Sequence, residues 1–78
     1  MNIFNKLDRY ITDKEYKMII KKEQINIINY IEIKDFSSTK IIIKAPDNII
    51  TITGSNLVVS KMQDNEVLIT GSIKLIEL

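Results

Sequence analysis

Side chains that could carry out acid–base or nucleophilic chemistry are few in this chain of 78 residues. It contains neither histidine nor cysteine. The carboxylates that stand near each other, Asp13 with Glu15 and Asp64 with Glu66, lie in or beside predicted turns, where acids are normally solvated. The five serines have no histidine to serve as a general base, and none lies in a recognised catalytic motif. The sequence therefore predicts no catalytic residue and no enzymatic activity.

Oxygen ligands for a metal ion are present, but they are not arranged as a binding loop. Asp47, Asn48, Asp64 and Asn65 could offer oxygens to calcium, yet they lack the Asp-x-Asp-x-Asp-Gly spacing of a dedicated site. Thiolate and imidazole ligands for zinc are missing from the sequence. We therefore predict no bound metal, no cofactor and no small-molecule substrate.

A basic stretch near several aromatic residues favours the alternative function, a small nucleic-acid-binding β-barrel. The lysines are Lys14, Lys17, Lys21 and Lys22, and the aromatic residues are Tyr10, Tyr16, Tyr30 and Phe36. Small barrels bind single strands with lysines beside aromatic side chains that stack on bases. However, eleven basic and ten acidic residues leave a formal charge of only +1, without the cationic excess that binds phosphates. A simpler interpretation is that these lysines lie at strand edges and prevent pairing with strands of other chains.

The N-terminal segment, residues 1–15, has a helical pattern. Ile3, Phe4, Leu7, Tyr10 and Ile11 recur at helical spacing, which predicts a short helix over residues 3–11. A helix of fewer than three turns is marginal alone in water. We expect it to dock on the rest of the protein, because its polar side mixes both charge signs and is not rich in lysine like a membrane anchor.

Residues 16–78 have the pattern of an all-β domain built from short, mainly antiparallel strands. We predict strands near Tyr16–Ile20, Ile25–Ile28, Tyr30–Ile33, Lys40–Lys44, Ile49–Thr53, Leu57–Lys61, Val67–Thr70 and Ile73–Glu77. The clearest turn is 45–48, where Pro46 cannot donate to a strand ladder and Asp47 and Asn48 tolerate turn geometry. A meander, a barrel and a solenoid-like stack all fit this pattern.

An internal repeat marks three structural corners. Ile-Thr-Gly-Ser occurs at residues 52–55 and again at 69–72, and residues 27–33 match both if Asn29 takes the glycine position. Glycine reaches positive φ without steric cost, and asparagine is among the few other residues that visit this region. We predict that Asn29, Gly54 and Gly71 each hold a bulge or a positive φ.

Alternation along the last strands predicts apolar side chains on both faces. Val58, Leu68 and Ile76 are large aliphatic residues on the face opposite the predicted core positions, which are Leu57, Val59, Val67, Ile69, Ile73 and Leu75. A chain of this size cannot cover both faces, and each exposed side chain forgoes roughly 1.5–3 kcal/mol. Cover could come from the N-terminal helix, from a second layer of the sheet or from another chain. We predict another copy as the cover, with Val58, Leu68 and Ile76 as the interface of a homo-oligomer.

The sequence shows no pattern typical of a membrane-spanning segment or of a secretion signal. No apolar run approaches the roughly 18 residues that cross a bilayer. A charged start followed by an apolar run and a small-residue cleavage site is missing as well. The sequence predicts a cytoplasmic protein.

The order of motifs from Phe36 onward resembles the YabP/YqfC family of sporulation proteins. The matching segments are Phe36, then Ile41–Lys44, then Ile50–Val59, and finally Glu66–Leu78. They carry a strand, a glycine followed by a small polar pair and leucine, a charged turn, and a closing Gly-x-Ile. The resemblance covers residues 16–78, although Asn29 and Asn48 stand where the family usually has glycine.

The resemblance implies the cellular process in which the protein takes part, spore formation, and gives no molecular mechanism. Family members are made in the mother cell of an endospore-former, serve spore maturation and are often encoded beside a membrane protein of the same programme. It implies a non-enzymatic structural protein that acts by protein contacts or self-assembly, in the mother-cell cytoplasm or at the forespore membrane. A membrane protein of the sporulation programme would then be a partner.

Overall fold

Two long strands run through the centre of the fold. The structure, a computed structural model, describes residues 15–78. Its strands are β1 (Lys17–Lys21), β2 (Gln24–Ile28), β3 (Glu32–Phe36), β4 (Lys40–Lys44), β5 (Ile49–Gln63) and β6 (Glu66–Glu77). They form one antiparallel sheet in the order β1-β2-β6-β5-β4-β3. The described part is therefore all-β, as the β-branched runs predicted.

The last four predicted strands are two strands in the structure. β5 continues from Ile49 through the first glycine motif to Gln63, and β6 continues through the second from Glu66 to Glu77. The β5–β6 register shifts at three places along its length, including one between Thr53 and Gly54. Bulges absorb an extra residue while pairing continues on both sides. The glycine motifs therefore bend the strands and do not end them.

Because β5 and β6 are long, each belongs to two halves of the sheet. The start of β6 pairs with β2, which pairs with β1, whereas the start of β5 pairs with β4, which pairs with β3. Each half contributes aliphatic side chains to a single core, and these side chains have almost no exposure to solvent. The first half supplies Ile25, Ile27, Val67 and Ile69, and the second supplies Ile41, Ile43, Ile50 and Ile52. The inner faces of the two halves thus cover each other.

Residues between β2 and β3 connect the two halves. The Asn29 N–H donates to the carbonyl of Asn65 at 2.6 Å, and the Ile31 N–H donates to the carbonyl of Lys44 at 2.8 Å. The predicted turn at 45–48 closes by hydrogen bonds between Ala45 and Asn48, at 2.9 and 3.4 Å. These bonds satisfy backbone groups that would otherwise be left unpaired where strands end.

The sheet is open, with β1 and β3 as its edge strands. A barrel would require these two strands to pair, so a closed barrel is the wrong topology; β3, β4, β5 and β6 form a meander, which was one of the predicted forms. The helix predicted over residues 3–11 lies outside the described residues. Within residues 15–78 there is no helix.

Candidate interaction surface

The two predicted corner glycines lie in the paired strands β5 and β6, which we call the β5–β6 ribbon. Each glycine packs against the backbone of the neighbouring strand. Gly71 has a φ of +134°, and a Cβ there would lie 2.9 Å from the Cα of Leu57. Gly54 has no positive φ, but it lies at a register shift, and a Cβ there would overlap the carbonyl oxygen of Ser72. Both positions therefore need glycine, one for its backbone angle and for space, the other for space alone.

Asn29 lies at a different kind of corner. Its φ is 66°, in the left-handed region, and it stands between β2 and β3 instead of inside a strand. Its side-chain Nδ2 donates to the carbonyl of Glu15 at 3.0 Å. Asn29 therefore turns the chain from one half of the sheet to the other and also holds residue 15, where the described chain begins.

Val58 and Leu68 lie on the outer face of the sheet, as predicted for an interface. Val58 pairs with Thr70 and is 54% exposed, and Leu68 pairs with Lys61 and is half-buried. Two positions along β6 separate Leu68 from Thr70, so Leu68 and Val58 are diagonal neighbours. The structure thus brings these two predicted residues onto one surface.

Ile76 is placed differently from its prediction. It pairs with the buried Ile52 and packs against the core, whereas Leu75 is 51% exposed. The cause is a bulge: Thr53 pairs with Leu75 and Gly54 pairs with Ile73, which leaves Lys74 as an extra residue. An extra residue reverses the alternation beyond it. Ile76 therefore belongs to the inner face and is removed from the outer surface.

A second apolar surface, absent from the sequence predictions, opens between β3 and the second half of β5. We call it the β3–β5 mouth; its lining residues are Tyr30, Ile31, Glu32, Ile33, Phe36, Val59 and Met62, and its volume is about 410 Å³. Phe36 pairs with the buried Ile41, and Met62 pairs with the buried Val67. The mouth is thus the inner, apolar side of the sheet where the two halves no longer cover each other.

Large apolar side chains in the mouth are open to solvent. Phe36 is 68% exposed, Met62 is 59% exposed and Ile31 is 53% exposed. Within residues 15–78 both walls are free strand edges, because β3 ends the sheet and β4 pairs only with β5 residues 49–53. Phe36 also lines a neighbouring groove of about 380 Å³ that reaches Val58. The apolar surface therefore extends from Ile31 past Phe36 to the predicted outer residue Val58.

The opposite opening of the sheet differs in charge. It lies between β1 and β6, has a volume of about 430 Å³ and is lined partly by Lys21, Lys22, Glu23 and Lys74. Among the described residues, the only charged one that lines the mouth is Glu32, whose Oε2 lies 3.5 Å from Lys34 Nζ; both side chains are exposed. An exposed ion pair of this kind contributes about 0–1 kcal/mol. Apolar contact is therefore the chemistry that the mouth offers.

The comparison with protein families decides the identity of this chain. The model of the YabP family matches residues 12–78, which is most of the sequence. The chain belongs to the YabP family. No curated protein and no solved structure matches it at a significant level.

Membership in the YabP family agrees with the resemblance over residues 16–78 and suggests a sporulation-related protein. The matched region includes the whole described sheet, the mouth and both corner glycines. Among residues 15–78, no group of three or more His, Cys, Asp or Glu side chains is placed to hold a metal ion. That same part of the chain has no helix long and apolar enough to span a membrane.

Within residues 15–78 of this YabP-family chain, the lysines of the nucleic-acid alternative and Phe36 lie at opposite edges of the sheet. Lys17, Lys21 and Lys22 lie on or beside β1, whereas Phe36 lies on β3 at the far edge of the sheet. Tyr16 and Tyr30 are partly buried against the core. Lysines and aromatic rings that bind single strands need to be neighbours. In the described part Phe36 is separated from the lysines of β1, whereas Tyr16 directly precedes Lys17.

Little in the sequence of this YabP-family chain indicates the mouth. Phe36 lies between the predicted strands Tyr30–Ile33 and Lys40–Lys44, where an aromatic residue has no partner to indicate a surface. Met62 followed the predicted end of a strand at Lys61. Extending that strand to Gln63 would have placed Met62 in β5, but only the strand order brings β5 near β3.

Proposed function

We propose that this YabP-family chain is a non-enzymatic protein of endospore formation that binds another protein through the β3–β5 mouth. The observation that supports it is the exposure of Phe36, Met62 and Ile31 between two free strand edges. Contiguous exposed apolar surface in a small domain marks an interaction site more often than an accident of packing.

The exposed apolar side chains of the mouth are a source of binding free energy. Burying an exposed large apolar side chain is worth roughly 1.5–3 kcal/mol, which is a large share of the total stability of a small domain. A partner that covers three such side chains would therefore gain substantial affinity from the mouth alone. The free backbone groups of β3 and β5 would add hydrogen bonds if the partner supplied an extended segment.

The proposed place of action is the mother cell of the endospore-former, in the cytoplasm or at the forespore membrane. The partner is a membrane protein of the sporulation programme, as the family resemblance implies, and it would offer an apolar segment to the mouth. Assembly of further copies through Val58 and Leu68 is compatible with this role, because these residues lie on the outer face. No chemical step is assigned to the protein.

The test replaces mouth residues in the endospore-former that carries the gene. Phe36→Ser and Met62→Ser remove apolar surface that is already exposed, so we expect little change in stability. We expect heat-resistant spores to fall at least tenfold, with the protein present at its normal level. Matched controls are Leu75→Ser and Ile49→Ser, which are exposed to 51% and 47% and lie outside the mouth.

Two results would overturn the proposal. One is a normal spore count in the Phe36→Ser/Met62→Ser double variant when deletion of the gene lowers the count. The other is an equal loss in the Leu75→Ser control, which would indicate a general effect of surface apolar residues. Immunoblots of sporulating cells separate both results from simple loss of the protein.

A further inference from the structure

The pairing of β6 changes partway along the strand. Its first part, residues 66–70, pairs with both β2 and β5, whereas residues 72–77 pair with β5 alone within the described chain. The change occurs at Gly71, whose N–H donates to the carbonyl of Glu23 at 3.1 Å. Beyond Gly71, one edge of β6 offers its backbone groups over about 20 Å. An edge of this kind can pair with an additional strand.

Positive charge surrounds this edge. It borders the opening between β1 and β6, where Lys21 and Lys22 lie at the β1–β2 turn and Lys74 lies on the edge itself. All three lysines are exposed. Among the described residues that line the opening, Glu23 is the only acidic one. The opening thus has an excess of positive charge in a chain that is nearly neutral.

The spacing of the lysines suits an extended segment. Lys74 lies four positions beyond Thr70, the last residue of β6 that pairs with β2, which is about 13 Å along the strand. A strand added to the edge would therefore pass the turn lysines first and Lys74 afterwards. Acidic residues at both places in that strand would each meet a lysine.

The lining of the opening favours a peptide over a single-stranded nucleic acid. Single strands stack their bases on aromatic side chains, and the described residues that line this opening include none. A peptide strand instead requires backbone hydrogen-bonding groups, which the edge of β6 supplies. Free backbone groups and positive charge together therefore indicate an acidic peptide.

We propose that residues 72–77 of β6 form a second docking site, which binds an extended acidic segment of a partner protein as an added strand. Carboxylates of the segment pair with Lys21, Lys22 and Lys74, while its backbone bonds to the edge of β6. The site is separate from the mouth and does not depend on it. Because its binding groups are backbone and lysine, Leu75→Ser leaves them unchanged.

A fluorescent peptide tests the proposal with the full-length chain. The probe has about eight residues in which valine and glutamate alternate, so that the glutamates share one face of the strand. We expect saturable binding in fluorescence anisotropy that weakens roughly fivefold between about 50 and 300 mM salt, because salt screens exposed charges. Hydrogen exchange at residues 72–77 should slow in the complex. No saturable binding at about 1 mM peptide would overturn the proposal.

Methylated peptides separate strand addition from charge attraction. Two versions of the probe carry backbone N-methyl groups, one on every glutamate and the other on every valine. Alternate N–H groups point to opposite edges of a strand, so only one version loses the donors that face β6. We expect that version to bind roughly tenfold more weakly than the other, because its strand pairing is blocked. Equal affinities of the two versions would reject strand addition.

Charge reversal at the opening identifies the lysines involved. We expect the double variant Lys22→Glu/Lys74→Glu to bind the probe roughly tenfold more weakly, because like charges then face each other. The matched control, Lys40→Glu/Lys61→Glu, makes the same change in net charge at exposed positions outside the opening and should bind as wild type does. An equal loss in both double variants would indicate a general charge effect and overturn the site. Circular dichroism confirms that each variant is folded.

A single-stranded oligothymidylate of about 20 nucleotides tests the nucleic-acid alternative in the same assay. Weaker binding than that of the acidic peptide supports the proposal, and tighter binding that displaces the peptide would replace it by nucleic-acid binding. Slower exchange at residues 31–36 instead of 72–77 would place the peptide in the mouth and reject the second site. The spore counts of the Phe36→Ser/Met62→Ser variant concern the mouth alone, so the two proposals fail separately.

Discussion

Gly54 and Gly71 lie on neighbouring strands, and each is placed against the backbone of the other strand. Gly54 meets the carbonyl of Ser72, which directly follows Gly71, and Gly71 meets Asn56 and Leu57, shortly after Gly54. The two Ile-Thr-Gly-Ser motifs are therefore antiparallel partners at one bend of the ribbon. The repeat in the sequence reflects a local pseudo-symmetry of β5 and β6.

Alanine at either glycine should destabilise the fold. Gly54→Ala forces a shift of the Ser72 carbonyl, which we expect to cost about 1–3 kcal/mol, as overpacking does. Gly71→Ala places a side chain at a φ of +134°, which costs about 1–3 kcal/mol of backbone strain. Thermal and urea unfolding followed by circular dichroism measure both. The control is Ser55→Ala in the same motif; a melting curve of Gly54→Ala equal to that of wild type would contradict the close approach.

Glu23 should be replaceable with a gain in stability. It lies in the turn between β1 and β2 at a φ of 61°, where a glutamate is strained and glycine is not. Its carbonyl accepts a hydrogen bond from the Gly71 N–H at 3.1 Å, which a glycine would retain. We expect Glu23→Gly to raise the free energy of unfolding by about 1 kcal/mol. Lys22→Gly, at the neighbouring position, should give no such gain.

The hydrogen bond between Asn48 and Tyr16 should contribute measurably to stability. It joins the 45–48 turn to the start of β1, and it is partly buried. Tyr16→Phe removes it while retaining the ring against the core, so we expect a loss of about 0.5–1.5 kcal/mol. A double-mutant cycle with Asn48→Ala isolates the pair. A coupling energy near zero would show that the bond makes no net contribution.

Self-association through Val58 and Leu68 stays a prediction, with Ile76 no longer part of it. We expect the wild-type chain to form a dimer or larger species at high micromolar concentration, measured by light scattering. Val58→Lys and Leu68→Lys should then give a smaller species that still folds, because both residues face away from the core. Unfolding of Leu68→Lys would mean that the position needs its apolar side chain. A monomeric wild-type chain would reject the homo-oligomer.

The local sequence pattern predicts where strands and turns lie better than it predicts which strands continue through the glycine motifs. The alternation of Ile41, Ile42 and Ile43 matches the buried, half-buried and buried positions of β4. Pro46, Asp47 and Asn48 marked the turn between β4 and β5 correctly. The predicted strands stop on either side of each glycine motif, although a bulge or a positive φ is expected there, because sequence alone does not show whether pairing continues past a bulge.

The candidate surface was harder to predict because it depends on contacts distant in sequence. Ile76 changed faces because of one unpaired residue, Lys74, which no periodicity reveals. Phe36 and Met62 line one mouth only because β5 continues past its pairing with β4, so that its second half faces β3. Residue types predict which side chains prefer burial, but strand order determines which of them remain uncovered.

The strand order also implies a sequence of events during folding. β3, β4, β5 and β6 pair with their neighbours in the chain, so each addition closes only a short loop. The β2–β6 ladder instead joins Gln24 to Thr70 and Ile28 to Glu66, across the whole meander. Contacts this distant in sequence form slowly. The β1–β2 hairpin should therefore dock last, and in native-state hydrogen exchange its amides should open before those of the β5–β6 ribbon.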